Sequence, residues 1–115
     1  MKNGYRGYSS EFKKYIYGSY VESGTHTFIV EYSNRTYEVV PDSVGQSVGR
    51  DDKYWIPIYE GNLVRIAEIE GAVQYDDNEC AFVVRPFSKN CITRRLGEFA
   101  SEHIEVVGDM YEVMI

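Results

Sequence analysis

Apolar and polar residues alternate with a period of two along most of the chain, whereas long stripes with the 3.6-residue period of a helix are missing. This alternation predicts strands, because successive side chains of a strand point to opposite faces. In the first half it predicts a strand over Lys14–Tyr20 and a hairpin over residues 27–40, with Asn34 at positive φ in the turn. Pro41-Asp42-Ser43 is typical of a single helical turn.

The second half of the chain predicts shorter strands joined by tight turns. The predicted strands are Trp55–Tyr59, Leu63–Ile69, Ala72–Tyr75, Cys80–Arg85 and Ile104–Val107. Pro57 lacks a backbone donor and therefore favours an edge position or the entry of a strand for the first of them. Glu70-Gly71 is the predicted turn between the second and the third, and a helical or 3₁₀ turn is expected within residues 97–102.

Residues 41–53 separate these two halves, since Gly45, Gly49 and two aspartates interrupt a stretch with little apolar content. The predicted organisation is an N-terminal β-hairpin region with a linker over residues 1–52 and a second region over residues 53–115. Short strands with a helical turn before the last one are typical of a small barrel. We therefore expect a mostly β protein in which the hairpin region packs on a C-terminal SH3-like barrel.

Length and composition narrow the class of protein. The 115 residues suffice for one modest core, and the 15% of aromatic residues, including eleven Tyr, favour half-buried strands. No apolar run approaches the roughly 20 residues of a membrane span, and residues 1–10 lack the apolar segment of a signal peptide. We expect a cytosolic protein without a membrane partner, whose two cysteines stay reduced.

The distribution of charge bears on possible partners. The net charge of −6 disfavours sequence-independent binding to nucleic acid, which depends on neutralising phosphates. Residues 1–20 carry four basic side chains and one acid, whereas residues 96–115 carry five acids and no Lys or Arg. Such ends could attract each other within one chain or between copies of it, although we favour a solvated surface as the explanation.

Several segments together resemble the YopX family of phage and prophage proteins. Residues 38–64, EVVPDSVGQSVGRDDKYWIPIYEGNLV, are similar to its VGQ-x-x-G segment followed by a turn and IYEGD. Residues 71–76 resemble its G-V-V-x-Y-D strand, and residues 104–112 resemble its closing I-E-V-I-G-N-I-Y-E. Asn62 stands where the family pattern has Asp, and residues 53–57 replace its usual strand entry. The resemblance implies a phage-encoded, β-rich protein that acts in the bacterial cytoplasm, and it brings no active-site residues.

The chemically suggestive residues each have a structural interpretation that we favour. Cys80, Cys91 and His103 lack the close spacing of a zinc site or a nucleophile pair, so two core cysteines are the simpler explanation. Asp51-Asp52 and residues 76–79 lack the alternating ligands of a calcium loop and read as solvated turns. We therefore predict no catalytic residue, no metal and no cofactor.

The turn at Tyr59-Glu60-Gly61-Asn62 also has a structural interpretation. Gly61 is expected to adopt a backbone angle denied to other residues, while Asn62 bonds neighbouring amides and fixes the register of the strands.

Binding and assembly remain as the predicted function. Exposed strand edges with aromatic residues favour a homo-oligomer or a complex with a host protein. The first alternative is a nucleic-acid-binding barrel that uses the basic and aromatic stretch 85–95. A less favoured alternative is a thiol- or metal-dependent enzyme that uses Cys80, Cys91 or His103. The candidate interaction residues are Trp55, Tyr59, Arg85, Phe87, Lys89, Arg94 and Arg95.

Overall fold

The computed structural model describes residues 4–114, with side chains through residue 112. Strands make up 55% of the chain and form two antiparallel sheets, so the prediction of a mostly β protein is confirmed. The strands are β1 (Tyr5–Ser9), β2 (Lys14–Ser23), β3 (His26–Val30), β4 (Thr36–Glu38), β5 (Gly45–Asp51), β6 (Pro57–Tyr59), β7 (Asn62–Ile66), β8 (Ile69–Asp76), β9 (Ala81–Pro86), β10 (Arg94–Arg95) and β11 (Ile104–Asp109). Three 3₁₀ turns (Pro41–Ser43, Leu96–Glu98 and Ser101–His103) and the short helix α1 (Met110–Met114) complete the described elements.

The chain divides into two compact units, Met1–Ser47 and Val48–Ile115, and strand β5 runs from the first into the second. The boundary that the sequence places after residue 52 stays a prediction about domains, because compactness does not establish that either unit folds alone.

The first unit is a meander of antiparallel strands in which β1 pairs with β2, β2 with β3 and β3 with β4. Its core contains Ile16, Ile29, Tyr37 and Val39, whose alternation along the strands places them on one face. The hairpin of β3 and β4 confirms the prediction for residues 27–40, and Asn34 has the predicted positive φ of 69°.

The second unit contains a five-stranded sheet in the order β10-β9-β8-β7-β11. Six residues of its strands and Leu96, from the 3₁₀ turn that follows β10, form its core: Ile58, Val64, Ile66, Val73, Val84, Leu96 and Ile104. Strands β10 and β11 are the two edges of this sheet, and no sheet of the described chain closes on itself. The SH3-like barrel is therefore not confirmed, because the two-residue β10 ends the sheet on one side.

Residues 41–53 are not the open linker that their glycines indicate. After the predicted single turn at Pro41–Ser43, residues Gly45–Asp51 form strand β5, and Val48 packs against the core of the second unit. The sequence predicts no strand here because the segment is rich in glycine and polar residues. Pairing with β1 nevertheless gives residues of β5 an extended conformation.

One turn also lies elsewhere than the sequence predicts. Strands β7 and β8 are joined at Ala67-Glu68, with Ala67 at a φ of 56°, rather than at Glu70-Gly71. Gly71 instead lies within β8, where an added Cβ would approach the carbonyl oxygen of Arg85 to 2.5 Å. The glycine therefore marks a close approach of two strands and not a turn.

Across residues 4–114, no helix combines the length and the apolar character that crossing a bilayer requires.

Candidate functional site

A buried carboxylate fixes the turn between β5 and β6. Asp52 is 3% exposed, and its Oδ1 accepts hydrogen bonds from the backbone N–H groups of Tyr54 (2.8 Å) and Ile56 (2.9 Å). The N–H of Asp52 donates to the carbonyl of Ile56 at 2.8 Å, and the N–H of Trp55 donates to the carbonyl of Asp52 at 3.1 Å. These four hydrogen bonds connect Asp52 to the residues that follow it and fix the loop of residues 52–56, hereafter the Trp55 turn.

The Trp55 turn presents three consecutive apolar side chains to solvent. Tyr54 is 59% exposed, Trp55 84% and Ile56 43%. Trp55 has a φ of 66°, a left-handed conformation that is costly for a bulky residue and persists only when its surroundings impose it. The extended strand predicted from Trp55 onward is therefore wrong for its first two residues, and the strand begins at Pro57.

The same turn covers the outer edge of β11. Asp52 Oδ2 accepts the N–H of Val106 at 2.9 Å, and the N–H of Lys53 donates to the carbonyl of Ile104 at 2.9 Å. These backbone groups would otherwise be available to a further strand, since β11 is an edge of the sheet. The turn thus blocks strand addition at this position while it displays Trp55.

A groove of about 290 Å³ opens elsewhere on the surface of the second unit. Its walls are seven apolar side chains, the Cys91 thiol and one charged residue, Arg94. Ile69 is 44% exposed and Ile92 74% exposed at this groove, so apolar surface faces solvent there. Exposed apolar concavities of this kind mark sites of interaction.

The basic stretch at residues 85–95 is largely neutralised by carboxylates. Arg85 pairs with Asp76 at 2.9 Å, Arg94 with Glu98 at 2.8 Å and Arg95 with Glu79 at 3.0 Å. The guanidinium of Arg94 and the backbone N–H of Arg95 lower the pKa of Glu98. The backbone N–H of Glu79, followed by the Arg85 side chain, lowers the pKa of Asp76.

The other candidate interaction residues lie in different environments. Phe87 is 56% exposed, and Lys89 is also exposed. Tyr59 is only 3% exposed, and its neighbour Ile58 on β6 is also buried. Tyr59 therefore cannot act as a surface residue of this chain.

The cysteines and His103 do not lie where the sequence indicates. Cys80 is exposed at a φ of 52°, and Cys91 is half-buried in the groove wall, so the interpretation of both as core residues is wrong. His103 is exposed, with Nε2 at 3.8 Å from Glu102. Within the described part of the chain, no three His, Cys, Asp or Glu side chains gather in a group that could hold a metal ion.

The turn at Tyr59–Asn62 has the structural role predicted for it. Gly61 has a φ of 93°, and Asn62, 3% exposed, accepts the N–H of Tyr59 on Oδ1 at 2.7 Å. The amide of Asn62 donates to Asp109 Oδ1 at 3.0 Å, and Gly61 bonds the backbone of Val73 and of Met110. This turn thus joins β7, β8 and the end of β11.

Sequence reasoning missed Asp52 and Arg50. The interpretation of Asp51-Asp52 as a solvated turn is wrong for Asp52, because its side chain is buried. Arg50 donates hydrogen bonds to the carbonyl oxygens of Leu96 and Phe99 and to the hydroxyl of Ser101, and so holds the segment before β11. A local signal that could indicate this region is the aromatic pair Tyr54-Trp55 close to Asp52 in a polar stretch.

The fold and these surfaces define a β-rich protein with two antiparallel sheets, a rigid apolar turn and an apolar groove. A family model described as YopX protein matches residues 4–113, which is nearly the whole chain. The chain belongs to the YopX family. No curated protein matches the chain.

Proposed function

We propose that this protein is a non-catalytic binding and assembly module of a phage or prophage, and that it acts in the bacterial cytoplasm by self-association. The Trp55 turn is the contact surface. The family supports a phage-type protein, and the display of Trp55 supports a role in binding.

The observation that carries the proposal is the combination of exposure and rigidity in the Trp55 turn. Trp and Tyr dominate the energetics of protein interfaces, because they bury a large area while losing few rotatable bonds. Here Tyr54 and Trp55 are exposed on a loop that Asp52 already fixes through backbone hydrogen bonds. A preformed loop loses little conformational entropy on binding, which favours affinity.

The charge arrangement favours a protein over a nucleic acid as the partner. Arg85, Arg94 and Arg95 each face a carboxylate, so binding to phosphate would first have to break an ion pair. A copy of this chain or a host protein can contact Tyr54, Trp55 and Ile56 without breaking an ion pair, because these side chains are aromatic or aliphatic.

Light scattering of the purified full chain over a range of concentrations tests the proposal. We expect a mass above that of the monomer at high concentration, and a shift to monomer in Trp55→Ala. Since Trp55 is 84% exposed, its truncation leaves the core intact. Tyr32→Ala is the matched control, because Tyr32 is also an aromatic residue with 76% exposure and lies in the other unit. A monomer mass for the wild-type chain up to about 1 mM, where even weak association is populated, would refute self-association.

A further inference from the structure

We infer that Trp55 of one copy inserts into the apolar groove of a second copy. The groove is the one formed by Ile66, Ile69, Val84, Ile92, Phe99 and their neighbours on the second unit. This inference rests on the self-association proposed above and adds the partner surface that Trp55 occupies.

The volume and the lining of the groove suit an aromatic side chain. A space of about 290 Å³ lies at the lower end of the range for ligand pockets, where a single large side chain rather than an extended peptide fits. Aliphatic walls favour an apolar occupant, and the single charged wall residue is Arg94. A guanidinium stacks on aromatic faces, with Trp as the best acceptor, so this wall favours an indole over an aliphatic chain.

Charges beside the two surfaces are complementary. Lys53 is adjacent to Tyr54 and Trp55 in the turn, and its ammonium lies 3.8 Å from Glu105, at the limit of an ion pair. Glu68 is exposed between Ala67 and Ile69, which both line the groove. Docking of Trp55 from a second copy would bring Lys53 of that copy toward Glu68 at the rim of the groove. Such a charge pair fixes the orientation of the two copies more than it adds to their affinity.

Trp55 does not fill the groove of its own copy. At 84% exposure, its indole is in solvent, and it is not among the residues that line the groove. Both surfaces therefore stay open within one chain, and each is available to a second copy.

Two single variants and their mixture test the pairing. Ile92→Glu places a charge in the groove at a side chain that is 74% exposed, so folding is preserved. We expect Ile92→Glu and Trp55→Ala each to weaken self-association at least about tenfold, as truncation of an interface hot spot does. Ile92→Glu keeps Trp55, and Trp55→Ala keeps the groove. In an equimolar mixture we therefore expect Trp55 of the first variant to bind the groove of the second, so that association returns. Val21→Glu, the same change at a 42% exposed position of the first unit, is the control and associates as the wild type does.

The outcomes separate this inference from the function on which it rests. A wild-type chain that stays monomeric refutes both. Wild-type association that Trp55→Ala abolishes but Ile92→Glu leaves unchanged refutes the groove as the partner surface and leaves self-association through Trp55 intact. A mixture that stays monomeric likewise overturns the pairing of these two surfaces.

The two free cysteines supply an independent measurement in the unmodified chain. Cys91 lies in the groove wall, whereas Cys80 is exposed and is not one of the groove residues. As the concentration is raised through the association range, we expect maleimide labelling of Cys91 to slow while labelling of Cys80 keeps its rate. In Trp55→Ala both rates stay constant with concentration. Equal slowing of both thiols, or of neither, in an associating wild-type chain would contradict docking in the groove.

Discussion

Exchanging the side chains of Asn62 and Asp109 tests how the Tyr59–Asn62 turn is joined to β11. Asn62 is buried and donates from Nδ2 to Asp109 Oδ1 at 3.0 Å, while its Oδ1 accepts the N–H of Tyr59. Asn62→Asp retains the hydrogen bond from the N–H of Tyr59 but replaces the Nδ2 donor, which faces Asp109, by a carboxylate oxygen. Two carboxylates then face each other across the distance of the former hydrogen bond.

The loss of stability in Asn62→Asp is set by the less costly of two states: both carboxylates charged, or one of them protonated. Two like charges about 4 Å apart in a partly buried site repel by about 4 kcal/mol. The pair can avoid this repulsion by retaining one proton, which at pH 7 costs about 4 kcal/mol, because an aspartate has an ordinary pKa of about 3.9. We therefore expect Asn62→Asp to lower the free energy of unfolding by about 3–4 kcal/mol at pH 7.

The pH dependence of this loss has a definite sign. The folded variant holds a proton that the unfolded chain has released, so its stability falls as the pH rises above about 4 and recovers as the pH is lowered. Asp109→Asn alone removes a charge-assisted hydrogen bond and costs about 1–3 kcal/mol. In the double variant the new amide donates to the new carboxylate, which is also the arrangement of Asp and Asn in the YopX pattern that the sequence resembles.

Urea denaturation of the four chains at pH 7 and near pH 4.5 measures the coupling energy between the two sites. A rescue of at least about 2 kcal/mol in the double variant is expected at pH 7. Additive losses in the double variant, or a loss in Asn62→Asp that does not depend on pH, would refute the direct contact.

Three further predictions follow from single side chains. Asp52→Asn should cost about 2–3 kcal/mol in urea denaturation, since its new amide group faces one of the three backbone N–H donors that the carboxylate accepts; a loss below about 0.5 kcal/mol would contradict it. Gly71→Ala should lower the free energy of unfolding by about 2–3 kcal/mol, because its Cβ would lie 2.5 Å from the carbonyl oxygen of Arg85. Gly97→Ala, with nothing within 4 Å of the added Cβ, is the matched control and should be near neutral. Asp76 has a pKa below its ordinary value of 3.8, so it stabilises the fold above that pH and the contribution disappears as the pH falls through its folded-state pKa. Thermal melts between about pH 2 and pH 6 should therefore show a shallower acid limb for Asp76→Asn, and identical limbs would count against this.

Local patterns in the sequence predict several turns and most of the strands, though not β1, β5 or β10. The hairpin of β3 and β4 follows from alternation on both sides of Asn34, a residue that tolerates positive φ. The single turn at Pro41–Ser43 and the role of Gly61 follow from residue types whose backbone preferences act over a few neighbours. Such signals need no knowledge of the rest of the chain.

Patterns fail where a distant partner decides the conformation. Gly71 looks like a turn residue because of its backbone freedom, yet the need for space beside Arg85 on β9 places it within a strand. Ala67 and Trp55, which occupy left-handed turn positions, are residue types that the turn preferences disfavour. The closure of a sheet is likewise a property of pairings between distant strands, and alternation along each strand does not report it.

The candidate site shows the same limit most clearly at Asp52. Its partners include the N–H of Val106, 54 residues away in the chain, and this distance removes any local signal that the carboxylate is buried. Asp52 accepts hydrogen bonds on both oxygens, and those from Tyr54 and Ile56 fix the backbone on either side of Trp55. The position of the exposed indole therefore depends on the buried carboxylate. If assembly through Trp55 is the function, Asp52 acts on it as a positioning residue, so Asp52→Asn should weaken association in the folded chain even though the side chain of Asp52 touches no partner.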